Sequence, residues 1–201
     1  MDIILASASP RRAELLKKAG IKFKQVPSTI DEEAIHKKFR HENVSKGYVK
    51  KFVREVALAK LAPFTRNDLN KPVVTADTVV YFEGRIIGKP HTKEKCREQH
   101  LMFSGKTNYV FTAVAVHYNG KTICVVKCRP TKVAKLQDEV IETICNEPYT
   151  LDCAGYRSSG AIGPYLKIKK QHEEDVAGLS VSLLLKMLRR VGFTALDMQP
   201  T

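Results

Sequence analysis

A ten-residue β-forming run, residues 73–82, constrains this chain more than any other feature. The run consists of apolar and β-branched residues around one carboxylate, and Glu83-Gly84 and a second apolar stretch, 85–88, follow it directly. Such residues favour strands, and a two-residue loop with glycine favours a tight turn between them. The sequence therefore predicts a β-hairpin over 73–88, with Asp77 inside its first strand.

The rest of the chain alternates between helical and strand patterns. Predicted helices cover 10–19, 31–62 (one or two helices), 92–102, 138–145 and 181–191; predicted strands cover 3–6, 21–26 and 165–169; a second hairpin joins 109–116 to 121–134. Because both hairpins require antiparallel pairs within an interleaved order, we expect an α/β fold with a mixed sheet. No Gly-, Ser- or Pro-rich linker marks a boundary, so we expect a single domain over 1–201, with room for two lobes and a cleft between them.

The chain is strongly basic, with 34 Lys and Arg against 21 Asp and Glu and a formal net charge of +13. This charge predicts attraction to polyanions: nucleic acid, anionic lipid or nucleotide phosphates, among which charge alone does not choose. No apolar run approaches the ~20 residues of a membrane span, and no basic leader precedes the first strand. We therefore expect a cytoplasmic protein that does not contact a membrane.

The five cysteines and six histidines give no metal-binding motif in the sequence. The cysteines are odd in number with no Cys-x-x-Cys, which is typical of reduced core thiols in a cytosolic protein. The histidines are scattered, with no His-Glu-x-x-His motif and no Cys/His cluster, so we do not expect zinc.

The segment Ala6-Ser7-Ala8-Ser9-Pro10-Arg11-Arg12 predicts a strand-to-helix turn with anion-binding character. Ser9 is a favourable N-cap and Pro10 suits the first helical position. Free N–H groups at a helix N-terminus attract phosphates, whereas Arg11 and Arg12 carry the unfavourable sign for a first turn. An anion between the two guanidinium groups would offset that cost; the alternative is that both side chains point into solvent.

Asp77 is the second candidate, because a carboxylate in an apolar strand needs a partner, a metal or a neutral form. It is either functional or occupied in a loop cap or surface salt bridge. A two-residue loop pairs Phe82 with Arg85 and hence Asp77 with Pro90. Lys89 then lies one position away and can cooperate with Asp77 only if the strand bulges or ends near Gly88. Glu32 is a third, weaker candidate, since acidic residues commonly open helices.

These residues together resemble the Maf family of nucleoside triphosphate pyrophosphatases. The resemblance rests on motifs that occur in the right order from about residue 3 to residue 190. They are Leu5-Ala6-Ser7-Ala8-Ser9-Pro10-Arg11-Arg12, Ala76-Asp77-Thr78-Val79-Val80, Gly88-Lys89-Pro90, Ser104-Gly105, Thr112-Ala113-Val114-Ala115, Glu147-Pro148, Ala154-Gly155 and Gly178-Leu179.

The resemblance implies an inosine-triphosphatase-like α/β fold, usually homodimeric, with an elongated mixed sheet flanked by helices. It implies hydrolysis between the α- and β-phosphates of a non-ordinary or surplus nucleoside triphosphate, with Mg²⁺ or Mn²⁺. By the same resemblance Ser7, Arg11 and Arg12 would grip the triphosphate, while Glu32 and Asp77 would hold the metal. Asp77 would also activate the attacking water.

The resemblance also assigns charge-neutralising lysines and leaves the base open. Lys60 and Lys89 would neutralise phosphate charge, and Thr78 would contact the substrate. In the dTTP/UTP branch a glutamine reads the base, and here Ser159 stands in that position within a segment one residue shorter. Cys153-Ala154-Gly155 instead resembles a branch that acts on 7-methyl-GTP.

A different class of function stays open beside this one. The basic charge, Ser159, and Ser180 in place of a usual proline are compatible with a nucleotide- or nucleic-acid-binding regulator of cell division with little turnover. A nucleic-acid partner is possible for the chain but is not the expectation.

Overall fold

A computed structural model describes residues 2–65 and 70–193. Its centre is a seven-stranded mixed sheet with the strand order β2-β1-β3-β5-β6-β7, and β4 pairs with β3 outside this path. The strands are β1 (Asp2–Leu5), β2 (Lys22–Gln25), β3 (Val73–Phe82), β4 (Arg85–Ile87), β5 (Thr107–Tyr118), β6 (Lys121–Val133) and β7 (Leu166–Lys167). The predicted α/β class with a mixed sheet is confirmed, since β1 runs parallel to β2 and β3 while the other pairs are antiparallel.

Helices flank this sheet, and except for the four-residue helix at 173–176, which was not predicted, they lie close to their predicted positions. They are α1 (Pro10–Lys18), α2 (Glu32–Lys37), α3 (Lys46–Thr65), α4 (Lys93–Phe103), α5 (Asp138–Asn146), α6 (Glu173–Val176) and α7 (Val181–Arg190). The predicted helix start is confirmed, because Ser9 caps α1 and Pro10 occupies its first turn. Among the described residues, no helix is long and apolar enough to cross a membrane.

Both predicted hairpins are confirmed. Phe82 pairs with Arg85 across the first, and Tyr118 pairs with Lys121 across the second. At the tip of the second hairpin Asn119 and Gly120 have φ values of 46° and 72°, the left-handed conformation that a tight two-residue turn requires.

One register prediction is wrong. Asp77 does not pair with Pro90, because β4 ends at Ile87 and covers only the last three residues of β3. On its opposite edge Asp77 pairs with Ala113 of β5. The strand end near Gly88, which cooperation between Asp77 and Lys89 would require, is therefore present.

The early end of β4 opens a gap along one edge of β3. On that edge β1 pairs with Val73 and Val74, and β4 pairs with residues 80–82. No strand of the described chain covers 75–79 on this side. The gap lies at the carboxyl end of β1, where chains in sheets of this kind commonly form their ligand crevice.

The core divides between the two faces of the sheet and one end of it. One face packs against α1 and α7 through residues that include Val74 and Ala76, and the other packs against α3 through residues that include Val73 and Val79. A third cluster joins β4, α4, α5 and the segment around Tyr156. The third cluster contains Cys96 and Cys145, and His100 lies beside them with one ligand atom of each residue within 4.8 Å of the others, so the tertiary structure forms a Cys/His group that no motif in the sequence indicated.

Gly155 tests the packing of this third cluster. Its φ is +75°, and a Cβ atom there would lie 2.4 Å from Cγ2 of Val80. Gly20 has a similar φ of +68°, but a Cβ atom there would meet nothing within 4 Å. We expect Gly20→Ala to lower the free energy of unfolding by about 1–2 kcal/mol, the cost of a left-handed alanine. We expect Gly155→Ala to lower it by about 1–3 kcal/mol more, because overpacking adds to strain.

Urea unfolding of the two variants measures that difference directly. Equal losses for Gly155→Ala and Gly20→Ala would contradict the close contact between Gly155 and Val80.

Candidate functional site

The site forms where β3 has no strand partner on the edge that it shares with β1 and β4. Because side chains alternate along a strand, the site residues of β3 lie on two faces of the sheet. Thr75 and Asp77 point to the α3 side, where the Thr75 hydroxyl donates to the Ala57 carbonyl at 2.7 Å. Thr78 points to the opposite side, toward α1. Adjacent residues on β3 therefore reach two different helices at one opening of the sheet.

Arg12 organises the α1 side. Its guanidinium is buried and donates from Nη1 to Ser7 Oγ at 2.9 Å, from Nε to the Gly178 carbonyl at 3.1 Å, and from Nη2 to Thr78 Oγ1 at 3.3 Å. Three of the five N–H groups of this side chain are thus committed to protein atoms. Arg12 therefore does not point into solvent, and it holds the β1–α1 turn against β3 and the loop before α7.

Nearby carboxylates favour the charged form of Arg12. Burial lowers the pKa of Arg12, while the charges of Asp77 and Glu32 oppose that shift. An arginine stays protonated under such conditions, so the site carries a fixed buried positive charge.

Gly178 lets this cation lie against the backbone. Its φ is +100°, and a Cβ atom would come within 3.3 Å of Thr78 Oγ1 and 3.7 Å of Arg12 Nε. Glycine is the residue that fits this conformation at this close approach.

Thr112 and Asp175 belong to the same network but were not singled out from sequence. Thr78 Oγ1 and Thr112 Oγ1 are 3.1 Å apart, and the Thr112 hydroxyl donates to the Asp175 carbonyl at 2.7 Å. The Asp175 carboxylate accepts from Arg129 Nε at 2.7 Å. Thr78 and Thr112 fall within motifs of the family resemblance, but no sequence signal connects them with Arg129 and Asp175, because the four residues come from β3, β5, β6 and α6.

Lys60 organises the α3 side. Its ammonium group lies 2.8 Å from Glu32 Oε2 and 2.9 Å from Asp77 Oδ1. The side chains of Lys60 and Asp77 are 8% and 9% exposed, whereas that of Glu32 is 52% exposed. The structure thus brings Glu32, Lys60 and Asp77 together, with two carboxylates against one ammonium.

Asp77 retains a free ligand atom. Its Oδ2 is buried and has no hydrogen-bond partner among the described residues. A buried carboxylate oxygen without a partner is costly and suits a cation. With the half-exposed Glu32 carboxylate it forms a set of hard oxygen donors that fits Mg²⁺ or Mn²⁺.

His36 lies close to this acidic pair and was not singled out from sequence. Burial lowers its pKa, and the charges of Asp77, Glu32 and Lys60 also act on it. Its Nε2 atom is buried without a hydrogen-bond partner in the described chain. The signal was present in the sequence, since Glu32 and His36 are four residues apart and share one face of α2.

Arg11 faces a different space from Arg12. Its Nη1 donates to Glu14 Oε2 at 3.2 Å, and its side chain is 27% exposed. It lines a cleft of about 240 Å³ together with Leu15, Ser158, Gly163, Leu166, Ile168, Glu173, Glu174 and Ala177. Ser158, and not the neighbouring Ser159, contributes to this cleft.

The last two predicted site residues lie on the surface. Ser159 is exposed and accepts from Arg157 Nε at 3.3 Å. Lys89 is also exposed, on the loop after β4. Burial raises the pKa of Cys153, and the charges of Arg157, Lys89 and Arg12 oppose that shift.

This arrangement can bind a polyanion and a divalent cation at once. Arg12 supplies positive charge on the α1 side of the opening, and Asp77 with Glu32 supplies oxygen ligands on the α3 side. Most of these groups are held by hydrogen bonds or packing before any ligand arrives, which favours electrostatic stabilisation of developing charge.

Comparison with known proteins gives a consistent result. A family model described as Maf-like protein matches residues 2–191. A protein of Bacillus anthracis named dTTP/UTP pyrophosphatase is 33% identical over 189 residues, which cover 94% of this chain and 94% of the relative. A protein of Halalkalibacterium halodurans with the same name is 32% identical over 193 residues, which cover 96% of this chain and 97% of the relative.

The Lys60–Asp77 pair gives a stability test. Lys60→Met should lower the free energy of unfolding by about 3 kcal/mol, because it leaves the buried Asp77 carboxylate without its counter-charge. Lys51→Met, on the exposed side of the same helix, should change it by no more than about 0.5 kcal/mol. Urea unfolding at neutral pH measures both.

The double variant Lys60→Met/Asp77→Asn separates charge from packing. It should recover part of the lost stability, because the unpaired charge is gone. No recovery, or an equal loss for Lys51→Met, would contradict the ion pair as the source of the effect.

Proposed function

Because this chain belongs to the Maf family, we propose that its nucleoside triphosphate pyrophosphatase activity is metal-dependent and directed at dTTP and UTP. The reaction would add water across the α–β anhydride bond and release a nucleoside monophosphate and pyrophosphate. The observation that carries the metal dependence is the unpartnered, buried Oδ2 of Asp77 beside Glu32 and Lys60. The choice of pyrimidine substrates is supported by the names of the relatives.

In this proposal Asp77 and Glu32 hold the divalent cation. When bound, the cation would polarise phosphate oxygens and lower the pKa of the attacking water. Asp77 Oδ2 is also the atom that would accept the proton from that water. The hydrogen bond from Lys60 to Asp77 Oδ1 supports this proposal, because it fixes one carboxylate oxygen and leaves Oδ2 available.

The basic residues would bind and stabilise the phosphates. Arg11, which is partly exposed, and Lys89, which is exposed, are cations accessible to a ligand. Arg12 has two N–H groups left after its three protein contacts, and Ser7 is held in place by one of those contacts. Preorganised donors of this kind oppose the charge that develops on the departing pyrophosphate.

Base recognition would fall to the cleft that Arg11 shares with Ser158. Thr78 contributes indirectly, since it holds Arg12 and Thr112 in place. Ser159 remains a candidate base contact only if it turns from Arg157 toward the cleft. Homodimer formation and a cytoplasmic location stay predictions.

Asp77→Asn tests the mechanism. It removes the free oxygen anion while keeping the size of the side chain, so turnover of dTTP should fall by at least about 100-fold, as for loss of a general base. Asp138→Asn, an exposed carboxylate of α5, is the control and should keep full turnover. Pyrophosphate release with Mg²⁺ or Mn²⁺ is the measurement.

Circular dichroism and nucleotide binding by Asp77→Asn complete this test. A folded variant that binds dTTP but does not turn it over supports the proposal. Full turnover by Asp77→Asn, or no turnover by the wild-type chain, would overturn it, and the second result with retained binding would favour a nucleotide-binding regulator.

A substrate panel tests the base. We expect turnover of dTTP and UTP to exceed that of CTP, ITP, the standard purine triphosphates and 7-methyl-GTP. Preferential turnover of 7-methyl-GTP would contradict the pyrimidine assignment and assign selection to the segment 153–160.

A further inference from the structure

Three side chains with soft or nitrogen ligand atoms meet inside the third core cluster. Cys96 and His100 lie one turn apart on α4, and Cys145 lies on α5, which packs against it. The two sulfur atoms and one imidazole nitrogen lie within 4.8 Å of one another, and all three residues are buried. It is the one group of three His, Cys, Asp or Glu residues in ligand-like proximity within 2–65 and 70–193.

The imidazole of His100 is only half satisfied. Its Nδ1 lies 2.8 Å from the Cys96 carbonyl oxygen and 3.5 Å from Cys96 Sγ. Its Nε2 has no hydrogen-bond partner within the described ranges, although the residue is 0% exposed. A ring nitrogen bonded to a backbone carbonyl is the usual partner arrangement of a histidine that binds metal through its other nitrogen. The unpartnered Nε2 is thus a buried nitrogen that a ligand would satisfy; since Nδ1 is the nitrogen that lies 3.5 Å from Cys96 Sγ, metal binding through Nε2 requires the ring to turn.

We propose that Cys96, His100 and Cys145 form a structural Zn²⁺ site that fastens α4 to α5. Thiolate and imidazole are the ligands that zinc prefers in structural sites, whereas the hard-oxygen pair Asp77 and Glu32 suits Mg²⁺ or Mn²⁺. Ligand atoms around tetrahedral zinc lie about 3.5–3.8 Å apart. The three ligand atoms lie within 4.8 Å of one another, so metal binding requires the thiols and the His100 ring to rotate toward that separation.

Charge balance favours a divalent ion here. Binding converts two thiols to thiolates and releases two protons, so Zn²⁺ with two thiolates and a neutral imidazole carries no net charge. A neutral group suits the apolar surroundings, which include Phe103 at 6.3 Å between ring centroids from His100. A monovalent copper ion with the same ligands would leave a buried negative charge.

The carboxylate of Glu142 is available for the fourth position, and the negative charge that it would add is balanced by Arg97, with which it is paired. It lies one turn before Cys145 on α5, and its charge acts on both thiols. Its side chain is 58% exposed and accepts from Arg97 at 2.8 Å, so it can move without leaving a buried group unpaired.

The position of this site links it to two loops of the candidate active site. α4 begins shortly after the loop that carries Lys89, and the His91 amide of that loop donates to the Leu151 carbonyl at 3.1 Å. α5 ends at the residue before Glu147, whose Oε1 accepts from the Ala161 amide at 2.7 Å. A metal between α4 and α5 would restrain both loops through the helices that adjoin them.

Metal titration of the reduced, chelator-treated full chain tests the proposal. Co²⁺ should bind one equivalent with a thiolate-to-cobalt charge-transfer band, and Zn²⁺ should displace it and raise the melting temperature. Cys145→Ala should lose that band and weaken Zn²⁺ binding by about 100-fold, in line with loss of an essential ligand. Cys128→Ser, at an exposed cysteine outside the cluster, should behave as wild type.

Two further measurements distinguish zinc binding by the thiols from metal binding at Asp77 and from a loss of folding. Asp77→Asn should keep the charge-transfer band, because a carboxylate site produces none; this separates the zinc proposal from the proposed catalytic metal. Should Cys145→Ala fail to fold, alkylation of the wild-type chain decides instead. In urea below the unfolding midpoint, where the buried thiols become transiently accessible, Zn²⁺ should protect Cys96 and Cys145 from iodoacetamide while Cys128 stays reactive.

The pH dependence gives an independent readout. Burial raises the pKa of both Cys96 and Cys145, so both thiols bind protons at neutral pH. Release of two protons makes the apparent Zn²⁺ affinity fall by about 100-fold for each unit of decreasing pH. Absence of a thiolate band, a band that survives Cys145→Ala, or a Cys96–Cys145 disulfide formed in preference to metal binding would overturn the proposal.

Discussion

The open edge of β3 is the constraint on which the rest of this structure depends. β1 pairs with the beginning of the strand and β4 with its end, so the middle has a partner only on the β5 side within the described chain. Where an interior strand has no neighbour along part of one edge, side chains from both of its faces reach the same opening. Because side chains alternate, Asp77 and Thr78 reach α3 and α1 from adjacent positions. A continuous β1 or a longer β4 would close the opening.

The charges at this opening balance one another across the sheet. Arg12 is buried with three hydrogen bonds to protein atoms, and Lys60 is buried between two carboxylates. Each cation is therefore in place before a ligand binds, and one oxygen of Asp77 remains without a partner among the residues that the structure describes. A buried network held by this many hydrogen bonds is rigid, and the unpartnered oxygen of Asp77 marks where a ligand would compensate it.

Several features could be predicted from sequence because their causes are local. The two hairpins followed from strand-forming runs around short turns, and the start of α1 followed from Ser9 and Pro10. Asp77 and the two arginines stood out because their charge conflicts with an apolar strand and with a helix N-terminus. The pairing of Asp77 with Pro90 was wrong because hairpin register gives the alignment of two strands but not where their pairing stops. β4 stops at Ile87.

The amino-acid sequence alone determined which helices and strands form and which charged residues are unfavourable where they stand. This is because propensity, capping and alternation act over a few neighbouring positions. The tertiary structure alone decided which of these residues meet. Lys60 reaches Asp77 across 17 positions of chain, and Arg12 reaches Thr78 and Gly178 across 66 and 166. Cys145 reaches Cys96 and His100 across 49 and 45 positions. Such contacts depend on how helices pack on each face of the sheet, and no local pattern encodes that packing.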